Sequence, residues 1–596
     1  MIKPVEYPSW IRARGMTHSG RGYQGPWRIA GWDTETVRNP VVGGGDPYTL
    51  QVYTDDGGTM DYVTPANVLN TFVGRMNKWA RERAVNVAFA HNLAFDLSVI
   101  LKKHHSLFSG QRDFELDVPG GVMKCFCDKT WFARLIFSDH RLVLILDTFA
   151  YFHTSLARMV EMVGAPVRKL PRPAGLGLKK LTGPTFERYA MTDAIACYHV
   201  GKSIEGQHKQ YDVPASFSAP HFASRVFRHH FINEGENIPF PPDPIARAAS
   251  LSFHGGKNAL PPWVRAGWVK DLTEFDLISA YSWSLFRLPP MTVGAWQTVR
   301  EMPFGEDSIL CASGISNCKY GSIFTHDFKP VRGPFTNVWT TGYEIESALR
   351  HGCLELKKVW GYVWQPASMA RNPFDPYAMT MFKEKGKYPK GTIEYEFNKL
   401  LNNSLYGKTA QMTRAPLETA SVTPDGAVAR ATVRYIASGL HNPVLASWTT
   451  GRVRARLHDF EEKYGSFHSS TDAIKAFGPA DPHDLGGLGG LKVECRGNCL
   501  ILGSKLYLHL DGDGKPAKMA TSGFQAGRDV DVFMAAARSV LKGEDYNYVK
   551  LHCNSVRESL RRRDARALEF VDRNWRVRAR LPVENRPGLK STEVFA

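Results

Sequence analysis

Carboxylates at short, regular spacings are the residues of this chain best suited to chemistry. The stretch Trp27-Arg-Ile-Ala-Gly-Trp-Asp33-Thr-Glu35-Thr36 reads as a strand ending in an acidic pair, and alternation puts Asp33 and Glu35 on one face. Two adjacent carboxylates repel unless something neutralises them, and a divalent cation with oxygen ligands does so. Val85, Val87 and Phe89 alternate into His91-Asn92-Leu-Ala-Phe95-Asp96. That puts Asn92 and Asp96 at the end of a strand, where open α/β sheets build their sites. In Phe186-Glu-Arg-Tyr189-Ala-Met-Thr-Asp193, Tyr189 and Asp193 are i, i+4 neighbours on a helix. Four carboxylates from three elements suit a two-metal phosphodiesterase centre. One metal would activate water and the other would steady the leaving oxygen, roughly 3.5–4 Å away. Tyr189 could orient the water.

A second set lies further along. Glu274-Phe-Asp276-Leu-Ile-Ser279-Ala-Tyr281 reads as a strand delivering Asp276, then a turn into a helix. Its candidate partner is Asp472 in Ser470-Thr471-Asp472, where small residues suit a hairpin between two strands. Brought together, Asp276 and Asp472 would hold two Mg²⁺ ions, lower the pKa of a 3′-hydroxyl and steady a pentavalent phosphorus. Between them lies a helix that Pro389 and Gly391 set off and Thr392 can cap. Ile393, Phe397, Leu400, Leu401 and Ser404 fall on one side, and Tyr395, Lys399, Asn402, Asn403 and Tyr406 on the other. Lys399, Asn403 and Tyr406 could touch one ligand with an anionic end and a flat end, such as a nucleoside triphosphate. An ordinary amphipathic helix is the alternative. In Phe253-His-Gly255-Gly256 two glycines either let backbone approach something closely or turn a hairpin.

The elements that position these residues belong to a long chain. Its 596 residues call for several domains, and 43% hydrophobic with 22% charged residues is a globular composition. A net charge of +17, spread along the chain, favours a polyanion, with nucleic acid ahead of membrane. No membrane partner is expected. Nine cysteines in this length make no disulfide scaffold. Cys125/Cys127 and Cys495/Cys499 lack a nearby His or second pair for zinc in the sequence. The first residues hold no apolar signal core, so the expectation is a reducing, cytoplasmic setting.

Taken in order, Asp33-x-Glu35, Asn92-x-x-x-Asp96 and Tyr189-x-x-x-Asp193 resemble the three motifs of DEDDy 3′–5′ proofreading exonucleases. The resemblance implies Asp33, Glu35, Asp96 and Asp193 as metal ligands and Tyr189 as the water-orienting residue. Thr36, Asn92 and Phe95 match positions that hold single-stranded DNA. Asp147-Thr148-Phe149 resembles a further DNA-contacting motif, with Ser155-Leu156 a competing register. Asp276-x-x-Ser279-x-Tyr281, Lys399-x-x-x-Asn403-Ser404-x-Tyr406-Gly407 and Thr471-Asp472 match the three polymerase motifs of family B DNA polymerases. Phe253-x-Gly255-Gly256 is similar to the Tyr-x-Gly-Gly link between exonuclease and polymerase halves. Lys505-Leu-Tyr507 is similar to the Lys-x-Tyr motif that holds the primer terminus. The resemblance is to the protein-primed branch of phages and linear plasmids, and covers about residues 27–525.

It implies an α+β multidomain fold: an RNase H-like exonuclease domain followed by a right-hand polymerase with two insertions. The expected parts are a basic arm (1–26), the exonuclease (27–213), palm (214–309 and 443–525), fingers (372–411), thumb (526–596) and the insertions (310–371 and 412–442). The second insertion carries a turn signal at Pro424-Asp425-Gly426. A linker is expected near 214–220, and from about residue 526 a helical, Arg-rich segment. By the resemblance Tyr281 is the steric gate against a ribose 2′-hydroxyl, Lys399 and Lys387 bind the triphosphate, and Asn403 and Tyr406 pack beside the nascent pair. The implied cofactors are two Mg²⁺ or Mn²⁺ per active site. The implied partners are template-primer DNA, dNTPs, single-stranded DNA in the exonuclease site and a priming terminal protein, around a monomeric enzyme. One departure stands out: Ser470 occupies the place of the first Asp in a motif that normally reads Asp-Thr-Asp. Two alternatives follow, a primer-independent family B polymerase and a DNA-binding replication protein whose catalysis Ser470 has impaired.

Overall fold

The computed structural model of the chain describes residues 15–38, 45–108, 113–127, 130–171, 182–261, 263–264, 266–422, 428–437, 439–521, 529–553 and 570–577. For 412–437, 550–553 and most of 570–577 it describes the backbone course alone.

The first half is built on an eight-stranded sheet. From edge to edge it runs Gly57–Tyr62, Gly45–Thr54, Trp27–Arg38, Val85–Ala90, Leu142–Asp147, Trp131–Phe137, Gly121–Cys127 and Asp113–Val118. The Trp27–Arg38, Val85–Ala90 and Leu142–Asp147 strands are parallel, and the outer ones antiparallel. Alternation sorts the central strands onto two cores. Ile29, Val87 and Phe89 pack with Cys197 and Val200 of helix Pro184–Gln210, whereas Ala30, Trp32, Ala88 and Ala90 pack with Phe72, Leu93 and Leu97. At Gly31 the helix comes so close that an added Cβ would sit 2.0 Å from the Ala194 carbonyl oxygen. Only glycine fits there. Asp33 and Glu35 share the face of Gly31, so this contact brings Asp193 over them.

The second half centres on a seven-stranded antiparallel sheet. Its order is Lys257–Ala259, His468–Thr471, Ala473–Phe477, Gly267–Leu277, Leu491–Gly503, Leu506–Leu510 and Pro516–Thr521. Helices Ala280–Phe286 and Pro443–Tyr464 pack on it through Phe275, Ile474, Val453 and Leu457. A four-stranded sheet, Gly294–Val299, Leu354–Pro366, Ser308–Ser316 and Gly333–Thr341, lies beside it with helix Gly342–Arg350. Helices Phe374–Gly386 and Ile393–Ala410 pack together, and one core joins them to the first half through Phe222, Phe227, Phe374, Tyr377, Phe397 and Trp448. No helix among the described residues is long and apolar enough to cross a membrane.

Several expectations need correcting. The stretch after residue 14 is no free arm: Met16 is buried and pairs with Ile238, and Tyr23 hydrogen-bonds Glu205. The expected linker runs straight into helix Ala219–His230, with Pro220 in its first turn, where the missing N–H costs nothing. Asp96 lies past the end of its strand, in the first turn of helix Leu93–Ile100. The segment after 526 holds helix Val530–Leu541 but then two paired strands, Tyr546–Cys553 and Phe570–Val577. The Tyr, Val and Phe of those strands suit a pleated surface. Arg557, Arg561, Arg562, Arg563 and Arg566 lie outside the described residues, as does Pro424-Asp425-Gly426.

Two candidate carboxylate centres

The first centre gathers Asp33, Glu35, Asp96 and Asp193. The Thr34 backbone N–H and hydroxyl both donate to Asp96 Oδ1, at 3.0 and 2.7 Å, tying the first motif's strand to the second motif's helix. The third motif's helix arrives over Gly31. Burial and the nearby charges of Asp96, Asp193 and Glu35 push the Asp33 carboxyl well above the usual range, with Lys169 opposing. Asp96, 1% exposed, is pushed up to about 8 by burial even though Thr34 hydrogen-bonds it. Two carboxylates pushed above their usual range beside further acidic groups form a set that a divalent cation would relieve. The donor set fits.

Two residues here escaped the sequence reading. Lys169 forms an ion pair with Asp193, and the attraction of Asp193 and Asp33 outweighs its burial to raise its pKa. It sits on an irregular stretch, where no periodicity marks it. Asp147, read only as the residue before Thr148, is raised to about 6 by burial and accepts from the Asn92 and Phe149 backbone N–H groups, both at 2.9 Å. Asn92 is exposed in a left-handed conformation at the helix start, φ 60°. Phe95 packs partly against the core, and Thr36 and Tyr189 are half-buried. Thr148 is fully buried; its hydroxyl lies 3.0 Å from His91 Nδ1 and 3.2 Å from the Ala90 carbonyl oxygen. In the competing register, Ser155 caps a helix by accepting from the Arg158 N–H.

The second centre forms where Gly267–Leu277 meets the turn of the Ser470–Asp472 hairpin. Asp276 pairs with Ala473, and the Leu277 N–H donates to the Asp472 carbonyl at 2.8 Å. Thr471, at φ 60°, makes the turn. Burial and the charge of Asp276 raise Asp472 to about 6. Burial also raises Asp276, against a 2.9 Å ion pair from Lys492. Ser470 pairs with Asn258 and Ala473 in the sheet. This donor set also fits a divalent cation, because Asp472 lies in the turn next to Ala473, the register partner of Asp276, and both carboxyls are raised.

Around it the polymerase-type motifs converge. Tyr281 and Tyr406 stack with centroids 3.8 Å apart. A Cβ on Gly256 would lie 2.6 Å from Thr471 Cγ2 and 2.9 Å from Tyr281 Oη, so Gly256 makes the close approach, whereas a Cβ on Gly255 would meet nothing within 4 Å. Arg454 donates to the His254 and Gly255 carbonyls at 2.6 and 3.0 Å, fixing that loop. Phe253 is half-buried. Helix Ile393–Ala410 starts at Thr392, whose hydroxyl accepts from the Tyr395 N–H. Asn402 departs from the expected face: it is buried, and its amide donates to Ser279 Oγ at 3.1 Å. Asn403 is exposed. Lys399 is exposed and pairs with Glu396 at 3.2 Å, and Lys387 pairs with Glu384. The lysine turned into the site is one the sequence reading passed over. Lys385 Nζ reaches Ser279 Oγ at 3.1 Å, and burial with the charges of Lys492, Lys399 and Lys390 lowers its pKa. Lys505 is exposed, while Tyr507 is buried under the Lys475 ammonium, 4.2 Å from its ring centroid.

Solved structures share this architecture. Phi29 DNA polymerase complexed with primer-template DNA and incoming nucleotide matches with a TM-score of 0.67 at 13% identity, over 92% of this chain and 100% of that one. The chain has the fold of phi29 DNA polymerase. The same enzyme in its post-translocation binary complex gives 0.66 at 14% identity, over 93% and 100% of the two chains. Its complex with single-stranded DNA gives 0.60 at 15% identity, over 84% and 91%. A probable DNA polymerase of Neurospora intermedia is 28% identical over 246 residues, 37% of this chain. The chain spans about a quarter of that relative's length, since the match covers 24% of it. No family model matches. The mixed α+β polymerase fold implied by the motif resemblance is thus the fold observed.

Proposed function

We propose that this chain is a DNA-directed DNA polymerase with 3′–5′ exonuclease activity, extending DNA at Asp276 and Asp472 and trimming it at Asp33, Glu35, Asp96 and Asp193. The observation that carries the reading is the meeting of Asp276 and Asp472 on hydrogen-bonded segments beside the Tyr281–Tyr406 stack. The phi29 fold and the Neurospora relative support it.

Asp276 and Asp472 would hold Mg²⁺ or Mn²⁺, which supplies charge neutralisation at the phosphoryl group and acidifies the 3′-hydroxyl. The chain's own groups do the positioning. The stacked rings offer a flat wall to the sugar and base of an incoming nucleotide, with Tyr281 crowding a 2′-hydroxyl. Lys385, with Lys399, faces the triphosphate. Lys505 meets the primer backbone. In the first centre Tyr189 orients water toward the phosphodiester, and Asn92 and Phe95 hold the single strand.

On this reading residues 27–213 form the exonuclease, 214–309 and 443–525 the palm, 372–411 the fingers and 526–596 the thumb. The insertions 310–371 and 412–442 meet a terminal protein that primes synthesis on a viral or linear-plasmid genome. They also encircle DNA and give strand displacement. The enzyme acts as a monomer in the cytoplasm. Ser470 leaves Asp472 as the hairpin's metal ligand. Primer extension on a defined template in Mg²⁺ and in Mn²⁺ tests the reading. Template-directed incorporation upholds it. No extension in either metal, with DNA binding intact, favours a replication protein that only binds. Initiation without primer or terminal protein favours the primer-independent alternative.

A further inference from the structure

The four-stranded sheet and the long helix Pro443–Tyr464 meet at a group of metal-ligating side chains that belongs to neither carboxylate centre. Cys318 follows strand Ser308–Ser316 and Cys353 precedes strand Leu354–Pro366. A 2.8 Å hydrogen bond from the Asn317 N–H to the Cys353 carbonyl holds the two loops together. The two cysteines are joined as a disulfide. Facing them is His458, fully buried, with Nε2 4.0 Å from Cys353 Sγ. One helical turn on, Glu462 Oε1 lies 3.5 Å from the same Nε2.

The imidazole is oriented from behind. Ser347 Oγ donates to Asp459 Oδ1 at 2.7 Å, and a carboxylate can only accept, so the single hydroxyl proton is committed there. The 2.9 Å contact between Ser347 Oγ and His458 Nδ1 is therefore an Nδ1–H donating to the hydroxyl. The ring's other nitrogen, Nε2, points toward the Glu462 carboxylate and the Cys353 sulfur. A histidine whose second nitrogen is fixed by a Ser–Asp relay is also the arrangement that orients metal-bound imidazoles.

We propose that Cys318, Cys353, His458 and Glu462 bind one Zn²⁺ when the two cysteines are reduced. Two thiolates, an imidazole and a carboxylate are a borderline-soft donor set that suits zinc. Zn–S near 2.3 Å and Zn–N near 2.0 Å give tetrahedral edges of about 3.3–3.8 Å. The Cys318, Cys353 and His458 donor atoms already lie within 4.8 Å of one another, and Glu462 must swing in from beside Nε2 to complete the set. A dithiol reductant supplies two electrons and two protons to the disulfide and is itself oxidised to a disulfide. The two thiols formed release both protons on binding Zn²⁺. The ion would pin the four-stranded sheet to the helix that leads into the Asp472 hairpin.

The test is the zinc content of the full chain, purified under a phosphine reductant without chelator and measured by mass spectrometry. One zinc per chain is expected, falling at least about tenfold in Glu462→Gln and in Cys353→Ser. Zinc no higher in the wild type than in Cys353→Ser overturns the site. Should that variant misfold, Co²⁺ is titrated into reduced wild-type protein. A thiolate-to-cobalt charge-transfer band, displaced by Zn²⁺ and missing after disulfide formation, upholds the proposal, and no band in the reduced protein overturns it.

Discussion

Tyr281 lies face to face on Tyr406, with ring planes 7° from parallel and centroids 3.8 Å apart. One ring follows the Asp276 strand and the other belongs to the Lys399 helix, so the stack joins the seven-stranded sheet to the helices over it. Tyr406→Ala removes the support for Tyr281. The worth of an aromatic pair, about 0.5–1.5 kcal/mol, corresponds to a rise in KM for nucleotide of up to about tenfold. Steady-state extension kinetics read it, and exonuclease trimming should not change.

Lys385 and Lys387 are two residues apart and differ in what they face. Lys385 is half-buried against Ser279, whereas Lys387 is exposed and paired with Glu384. Lys385→Ala is expected to raise KM for nucleotide by about tenfold or more, consistent with losing a charge-assisted contact of about 1.5–3 kcal/mol. Lys387→Ala should stay within about twofold. Side-by-side kinetics of the two variants decide the assignment.

The first carboxylate centre sets a pH dependence. Asp96, held at about 8, keeps its proton in the folded metal-free chain well above its unfolded value. A pKa raised by folding adds stability that is fully present below the unfolded pKa and lost as pH rises through the folded one. Metal-free protein should therefore lose thermal stability as pH climbs from about 4 to about 8, and added Mg²⁺ should restore it. Metal must displace that proton, so the Mg²⁺ needed for half-maximal trimming falls by up to about tenfold per unit between pH 6 and 8. Melting curves and metal titrations across that range check both.

Gly256 is wedged between Thr471 and Tyr281. In Gly256→Ala the new methyl group must push the Asp472 hairpin or the tyrosine aside, and a misplacement of about 1 Å costs on the order of a hundredfold in rate. Extension should fall by about that factor while trimming and melting temperature hold. Normal extension would mean that the hairpin yields without consequence.

Much of both centres was legible because it sits on regular elements. Asp33 and Glu35 follow strand alternation, Tyr189 and Asp193 follow helical spacing, and Thr392 announces its helix by a cap that the structure contains. What the sequence hid came from contacts between elements. Asn402 falls on the polar side of a helical wheel, yet it is buried because a second helix brings Ser279 to it. Lys385 looks like any lysine in a basic run until packing turns it inward. Lys169 lies on irregular chain, and Cys318, Cys353 and His458 are separated by dozens of residues that only the sheet and helix bring together. The strands after residue 545 read as helix because arginines dominate the composition between them.

The central claim is that extension and trimming belong to two separate carboxylate centres. It is tested most directly by assaying Asp472→Asn for primer extension and for 3′ trimming of single-stranded DNA in the same Mg²⁺ buffer. The account predicts extension reduced at least about a thousandfold, by analogy with removal of an essential catalytic group, and trimming at the wild-type rate. Loss of both activities together, or extension that survives, would contradict it.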